Sequence, residues 1–250
     1  MNIDEAGEGV AALEPVAGLG TAEGMDRLLA LATRQMDDAT GSEDVLRVAV
    51  GWSIGVVPGC EMAGVTLRRR RGRLESVASS EPAVESCDQL QYELDEGPCL
   101  DAITDSPVIE ATDVATDTRW PRWGPQVAAQ HGVAGMLSVR LFSSERVHGA
   151  LNLYSRTTDA FDHDSIDIAR LLATHVSVAL RSALSDEQLR LAVDSRNVIG
   201  QAQGILMERF SLDAARAFAV LSRLSQDRNI RLLDIAMHVV TERSLPDTAG

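Results

Sequence analysis

Lysine is absent from this chain of 250 residues: all 23 of its positive side chains are arginine. A phosphate-binding loop of the GxxxxGK[ST] type needs a lysine to reach the terminal phosphates, and a protein kinase needs one against the α- and β-phosphates. Schiff-base chemistry needs a free amine. All three classes are excluded. Cysteine is scarce too, with Cys60, Cys87 and Cys99 odd in number and forming no CxxC pair. Neither a disulfide framework nor a zinc site is expected, and a reducing cytoplasm is the expected compartment. No apolar run approaches the roughly 18–20 residues of a membrane span, so no membrane partner is expected. Met1 to Gly24 holds five acids and no base, the reverse of a signal or transit peptide. A net charge of −14 argues against general polyanion binding, and no DNA partner is expected.

What is present suffices for packed cores, since 45% of the residues are hydrophobic. Charge is uneven. Residues 25–185 carry 23 acids against 15 arginines, whereas residues 190–243 carry six acids against eight arginines. A mildly basic end on an acidic chain points to two modules with different partners.

The first 24 residues lack periodicity and are expected to form a flexible leader. Leu28, Leu29, Ala32 and Met36 predict a helix from about Met25, and Ser42 is the expected cap of a second through Val45, Val48, Ala49 and Trp52. Ala63 to Leu67 and Leu74 to Ala78 predict a hairpin around Arg70-Arg71-Gly72. Residues 81–132 hold five prolines and short helical pieces. Gly135 to Phe142 and Val147 to Tyr154 then predict two strands around a polar turn at 143–146, with Leu137, Val139 and Leu141 alternating against Met136, Ser138 and Arg140.

Asp162 or Asp164 is the expected cap of a long helix carrying Ile168, Leu172, His175, Val176 and Leu180, with no breaker before Arg196. Such a helix serves as a spacer or a weak dimer seam, since Glu187 and Asp194 fall near core slots. Two periodic helices close the chain. Ser211 is the expected cap of the first, with Ala214, Phe218, Leu221 and Ser225 on one face and Asn229 as its stop. Leu233, Ala236, Met237 and Val240 stripe the second. Together with Val198, Ala202, Ile205 and Leu206 they form a three-helix unit.

The segment Ser195-Arg196-Asn197-Val198-Ile199-Gly200-Gln201-Ala202-Gln203-Gly204-Ile205-Leu206-Met207-Glu208-Arg209, followed by DAARAF (213–218), LSRLSQDRN (221–229) and LLDIAMHVV (232–240), closely resembles an ANTAR domain. The resemblance implies a three-helix RNA-binding module acting in transcription antitermination. It departs from the family at Gln203, where many members carry lysine. Upstream, Leu90-Gln91-Tyr92-Glu93-Leu94-Asp95-Glu96-Gly97-Pro98-Cys99-Leu100 is similar to the EGPC segment of the GAF domains that precede ANTAR modules. HGALNLYS (148–155), AFD (160–162) and ATHVSVAL (173–180) resemble the end of such a domain. The implied fold is α+β, a GAF-like antiparallel sheet flanked by helices and joined by a long helix to the ANTAR-like module. The expected boundaries are a leader at 1–24, a sensory domain at 25–185, an RNA-binding domain at 186–246 and a tail at 247–250.

The expected RNA contacts are Arg196, Gln203, Arg209, Arg216, Arg223, Arg228 and Arg231. Arg216 and Arg223 lie seven apart on one helix face, and arginine forks suit phosphates and stack on unpaired bases. The alternative is a solvated face shared with Asp213, Asp227 and Asp234. Arg68 to Arg71 with Arg73 read as a polar hairpin tip, with an anion or RNA site as the alternative. Tyr92, Cys99, Trp120, Trp123 and His131 are the candidates for lining a sensory pocket, with a structural role the alternative for the histidine and a small buried hydrophobe for the cysteine. No cofactor and no metal are expected, since the histidines are scattered without HExxH spacing. No nucleophile–base constellation emerges, so no enzyme is expected. Asp37-Asp38 resembles the acidic pair of a phosphoacceptor receiver, but a receiver needs a lysine. The expected protein is a cytoplasmic, dimeric regulator that binds RNA hairpin loops in leader transcripts and takes an unidentified small molecule as its input. The alternative is an adaptor whose C-terminal helices bind a protein.

Overall fold

The computed structural model describes residues 22–142 and 147–245. The first 21 residues of the expected leader, the turn at 143–146 and the tail lie outside them. The chain divides into two compact units, one ending at Leu184 and the other beginning at Ser185.

The first unit is built on five antiparallel strands: β1 (Met62–Arg68), β2 (Leu74–Ser79), β3 (Val108–Ala111), β4 (Gly135–Phe142) and β5 (Val147–Ser155), in the order β2-β1-β5-β4-β3. Both predicted hairpin partners pair as expected. Period-two alternation sends Leu137, Val139, Leu141, Leu151 and Leu153 to one face. There they pack on α1 (Ala22–Asp37), α2 (Ser42–Val56) and the first half of α6 (His163–Phe210) through Leu28, Met36, Leu46, Trp52, Leu172, Val176 and Leu180. The opposite face carries Met62, Met136, Ala150 and Tyr154 under α3 (Pro82–Leu94), α4 (Pro98–Thr104) and α5 (Trp123–His131). Each fully buried leucine or phenylalanine contributes about 1.5–3 kcal/mol. A helix as short as α4 is therefore held by the sheet beneath it and not by its own propensity.

His175 belongs to this packing: its Nδ1 lies 3.1 Å from the Thr33 hydroxyl, tying α6 to α1. The cap of α2 is Gly41, at φ 95°, and Ser42 is already the first helical residue. At α6 the expectation of Asp162 holds, because its carboxylate accepts from the Ser165 amide at 2.8 Å and the Ser165 hydroxyl at 2.6 Å. The hairpin tip is polar, with Arg69 (2.8 Å) and Arg73 (3.4 Å) both on Glu75.

In the second unit the sequence suggested a spacer followed by a separate helix, but the structure has a single 48-residue helix, α6. Its last turns pack with α7 (Ala214–Arg228) and α8 (Leu232–Glu242) around Ala202, Leu206, Ala217, Leu221, Ile235, Ala236 and Val239. The glycines at 200 and 204 lower helix propensity but provide no C-cap, so the helix runs through them to Ser211, which turns left-handed at φ 52°. Asp213, not Ser211, caps α7, accepting from the Arg216 amide at 2.7 Å. Asn229 ends α7 in the left-handed region as expected. Both closing helices are rotated from the expected stripes: Ala217 and Val239 face inward, while Phe218 and Met237 face outward.

Gly149 marks the tightest backbone approach in the sheet. A Cβ there would stand 1.8 Å from the Thr66 carbonyl oxygen. Gly149→Ala should cost about 3 kcal/mol or more, because backbone must move, while Gly132→Ala, at φ 67° with open space around it, should cost about 1 kcal/mol. Urea unfolding of the two variants measures the difference, and equal costs would contradict the close strand contact.

Candidate nucleic-acid interface and sensory core

Six of the seven expected RNA contacts are arginines of the second unit. Arg196, Arg209, Arg216, Arg223 and Arg231 are exposed and Arg228 is half-buried. Arg216 and Arg223 share a face of α7 and pair locally with Asp213 (3.5 Å) and Asp227 (3.6 Å). Arg231 forks onto Asp234 at 2.8 and 2.9 Å. Exposed pairs of this kind are worth only about 0.3–0.5 kcal/mol, so a phosphate can displace the aspartates at little cost. Arg209 donates to the Arg243 carbonyl and holds its guanidinium 5.8 Å from the Phe210 ring.

Gln203 is the seventh expected contact. Half-buried, it donates at 3.1 Å to the carbonyl of Ala214, the first residue of α7. The amide thus ties α6 to α7 at a position where many ANTAR sequences have lysine. Sequence reasoning missed the outward phenylalanines: Phe210 and Phe218, the only aromatic residues of the second unit's sequence, are 47% and 43% exposed. It also passed over Gly200 and Gly204 as helix residues. Each costs roughly 1 kcal/mol relative to alanine, yet an added Cβ at either would meet nothing within 4 Å. Packing within the chain does not require them.

On the sheet face under α3–α5, four of the five pocket candidates come together and His131 does not. Trp120 and Trp123 are fully buried and T-shaped, with ring centres 6.2 Å apart. Their indole N–H groups are committed to Asp101 (2.9 Å) and the Cys87 carbonyl (3.1 Å). Cys99 is fully buried. Burial pushes its thiol, like those of Cys60 and Cys87, up to about 12, so none supplies a thiolate near neutral pH. Tyr92 shares a 2.7 Å hydrogen bond with Thr66. His131 sits half-exposed at the end of α5.

The EGPC segment has a physical reason at each position. Glu96 accepts from the Arg122 guanidinium (2.6 Å) and from the amides of Arg122 (2.9 Å) and Trp123 (3.2 Å), closing α3 against α5. Gly97, at φ 143°, leaves space that a Cβ would take from Gln91, whose oxygen accepts from the Cys99 amide at 2.9 Å. Pro98 opens α4.

At the centre of this face lies Asp88, fully buried on α3. Its carboxylate accepts from Tyr154 Oη, Asn152 Nδ2 (3.0 Å), Ser76 Oγ (3.0 Å) and, at 3.5 Å, Thr66 Oγ1. Ser138 donates to Asn152 at 2.8 Å. None of these residues stood out in the sequence, although Ser138 and Asn152 occupy the inward phase of otherwise apolar strands. Next to the network, Arg140 Nε donates to the Ala102 carbonyl, while its Nη2 is buried without a hydrogen-bond partner among the described residues.

Burial raises the Asp88 carboxyl to about 6 from its usual 3.8, against the pull of its four donors. A raised pKa favours the protonated form in the fold. The associated stabilisation is complete below about pH 4 and is lost as the pH climbs through 6, a change of roughly 3 kcal/mol. Asp88→Asn removes that titration. The variant's melting temperature relative to the parent should therefore rise between pH 4 and pH 7, and parallel melting curves across that range would refute the burial of an ionisable Asp88.

A family profile described as a GAF domain matches residues 39–181, and one described as an ANTAR domain matches residues 187–240. No curated protein matches the chain. Among solved structures, the GAF domain of a phosphoenolpyruvate-protein phosphotransferase from Coxiella burnetii is similar at 15% identity and a TM-score of 0.54, covering 68% of this chain and 99% of that one. The corresponding domain from Acinetobacter is similar at 13% identity and a TM-score of 0.53, covering 67% and 99%. A free methionine-R-sulfoxide reductase from Neisseria meningitidis, in complex with its substrate, is similar at 16% identity and a TM-score of 0.52, covering 65% and 91%. At these identities the likeness is one of fold. With the GAF profile spanning more than half of the sequence and the ANTAR profile directly behind it, the chain belongs to the family of GAF- and ANTAR-domain regulators.

Proposed function

We propose that this protein is a non-enzymatic, signal-responsive regulator whose ANTAR domain, from about residue 186 to 246, binds hairpin loops in leader transcripts and promotes transcription antitermination. ANTAR domains are RNA-binding modules and GAF domains are sensory ones. The observation that carries the reading is the ANTAR match over 187–240 on a unit that turns seven of its eight arginines and both of its phenylalanines outward. Arginine supplies phosphate contacts and exposed aromatic rings supply stacking surfaces for unpaired bases.

The GAF domain, residues 25–185, serves as the sensor in this reading. A buried guanidinium nitrogen of Arg140 without a partner among the described residues, close to the Asp88 network, supports an input that brings a hydrogen-bond acceptor. No helix among the described residues is long and apolar enough to cross a membrane, which agrees with action on transcripts in the cytoplasm. Leu189, Leu191 and Val193 stand 63%, 66% and 55% exposed on α6. Leu189 and Val193, four residues apart and so on one helix face, support pairing of two copies along this helix, and a change in that pairing is the proposed route from sensor to RNA. The exposed Phe218, Ile230 and Met237 favour a second reading, an adaptor that docks a protein. Partners retained after nuclease treatment and high salt would speak for it.

Gel shifts with hairpin RNAs test the first reading. Neutralising Arg196, Arg216 and Arg231 together should weaken binding at least tenfold and flatten the salt dependence by about two to three ion equivalents. Absence of binding by the parent chain, or unchanged binding by the variant, would overturn the reading. For the pairing, light scattering should report twice the chain mass of 26.9 kDa. Replacing Leu189 and Val193 by glutamate should return a monomer.

A further inference from the structure

Within the second unit, a groove of about 800 Å³ runs between the last turns of α6 and the end of α8. Gln201, Gly204, Ile205, Glu208, Arg209, Val240 and Arg243 line it. Its volume falls in the range of about 300–1,000 Å³ that holds small-molecule-sized groups. We propose that this groove seats one unpaired RNA base carrying an exocyclic amino group, that is adenine, cytosine or guanine and not uracil, with the flanking phosphates on Arg209 and Arg243. The proposal rests on the RNA-binding reading and names the place and the chemistry of recognition.

Each wall has a matching function. Gly204 presents bare backbone, so a flat ring can lie against the helix where any side chain would stand in its way. Ile205 and Val240, both partly buried, form the apolar sides. The Gln201 amide offers a donor and an acceptor to a base edge, and the Glu208 carboxylate accepts from an exocyclic amino group. That carboxylate would repel a phosphate, which assigns the inside of the groove to a base and the arginine rim to the backbone. Arg209 gives one donor to the Arg243 carbonyl and remains exposed, leaving the rest of its fork for phosphate oxygens. Phe210, beneath the Arg209 guanidinium, lies next to the groove as a stacking surface for the neighbouring base. Arg216 and Arg223 of α7 and Arg231 at the start of α8 pair with their own aspartates and border no part of this groove.

Because a Cβ at Gly204 meets nothing within 4 Å, Gly204→Ala and Gly204→Leu fill the groove without disturbing the fold. The probes are hairpin RNAs with a common stem and a loop of adenines, of cytosines, of uridines or of randomised sequence, bound to the full-length protein. Affinity for the randomised and amino-base loops should fall in proportion to side-chain size, at least tenfold for Gly204→Leu, while the melting temperature is unchanged or raised. Gln201→Ala should reduce the preference for adenine over uridine loops. If Gly204→Leu binds within twofold of the parent, the groove is overturned and RNA binding elsewhere on the unit stands. A parent chain that binds no hairpin overturns both. A Gly204→Leu variant that changes molecular mass but not RNA affinity overturns the proposal in favour of a protein interface.

Discussion

A five-stranded sheet covered on both faces leaves no strand position free to be casually polar. Leu137, Val139, Leu141, Leu151 and Leu153 satisfy that demand on the side of α1, α2 and α6. The other side departs from it at Thr66, Ser138, Asn152 and Tyr154, which surround the buried Asp88 of α3. An unpaired carboxylate in such a place would cost several kcal/mol. It persists because each oxygen has donors: Asn152 and Tyr154 on one, Ser76 and Thr66 on the other. No arginine ion pair to Asp88 occurs among the described residues. The surrounding architecture serves the same face. The turn through Gly97 exists to let Gln91 hold the start of α4, and Glu96 ties α3 to α5 above the network. This dependence makes the sensory face cooperative, since a half-satisfied polar network is worse than an apolar core.

The helix α6 is constrained in a different way. Its first half is part of the sheet's cover, through Leu172, Val176 and Leu180. Its last turns are part of the three-helix core, through Ala202 and Leu206. Between them lies a stretch with outward leucines and valine. One element therefore carries three environments, and the apolar phase that suits one does not suit the next. This explains why its sequence reads as a spacer plus a separate helix.

Much of the fold was legible in local pattern. The period-two alternation of β4 and β5, the left-handed stop at Asn229 and the cap at Asp162 follow from side-chain chemistry over a few residues. The caps of α2 and α7 were misplaced by a residue or two, because serine, aspartate and glycine compete for the same position and only the final backbone path selects among them. The faces of α7 and α8 were misread for a related reason. Phe218 and Met237 are apolar and were assigned inward, yet Ala217 and Val239 occupy the core. A small three-helix core closes on small residues at its crossing points, and that geometry is absent from the hydropathy pattern.

The sequence by itself determined the exclusion of lysine chemistry, the two-module order, the strand phases and the family resemblance, since all of these depend on residue identity and spacing along the chain. Tertiary structure alone decided which polar residues matter. Asp88 acquires its environment from strands 12 to 66 residues away, Gln203 becomes a tie to α7, and Gly204 becomes the floor of a groove closed by Val240. Burial, desolvation and open space are properties of packing between distant segments, and no local pattern encodes them.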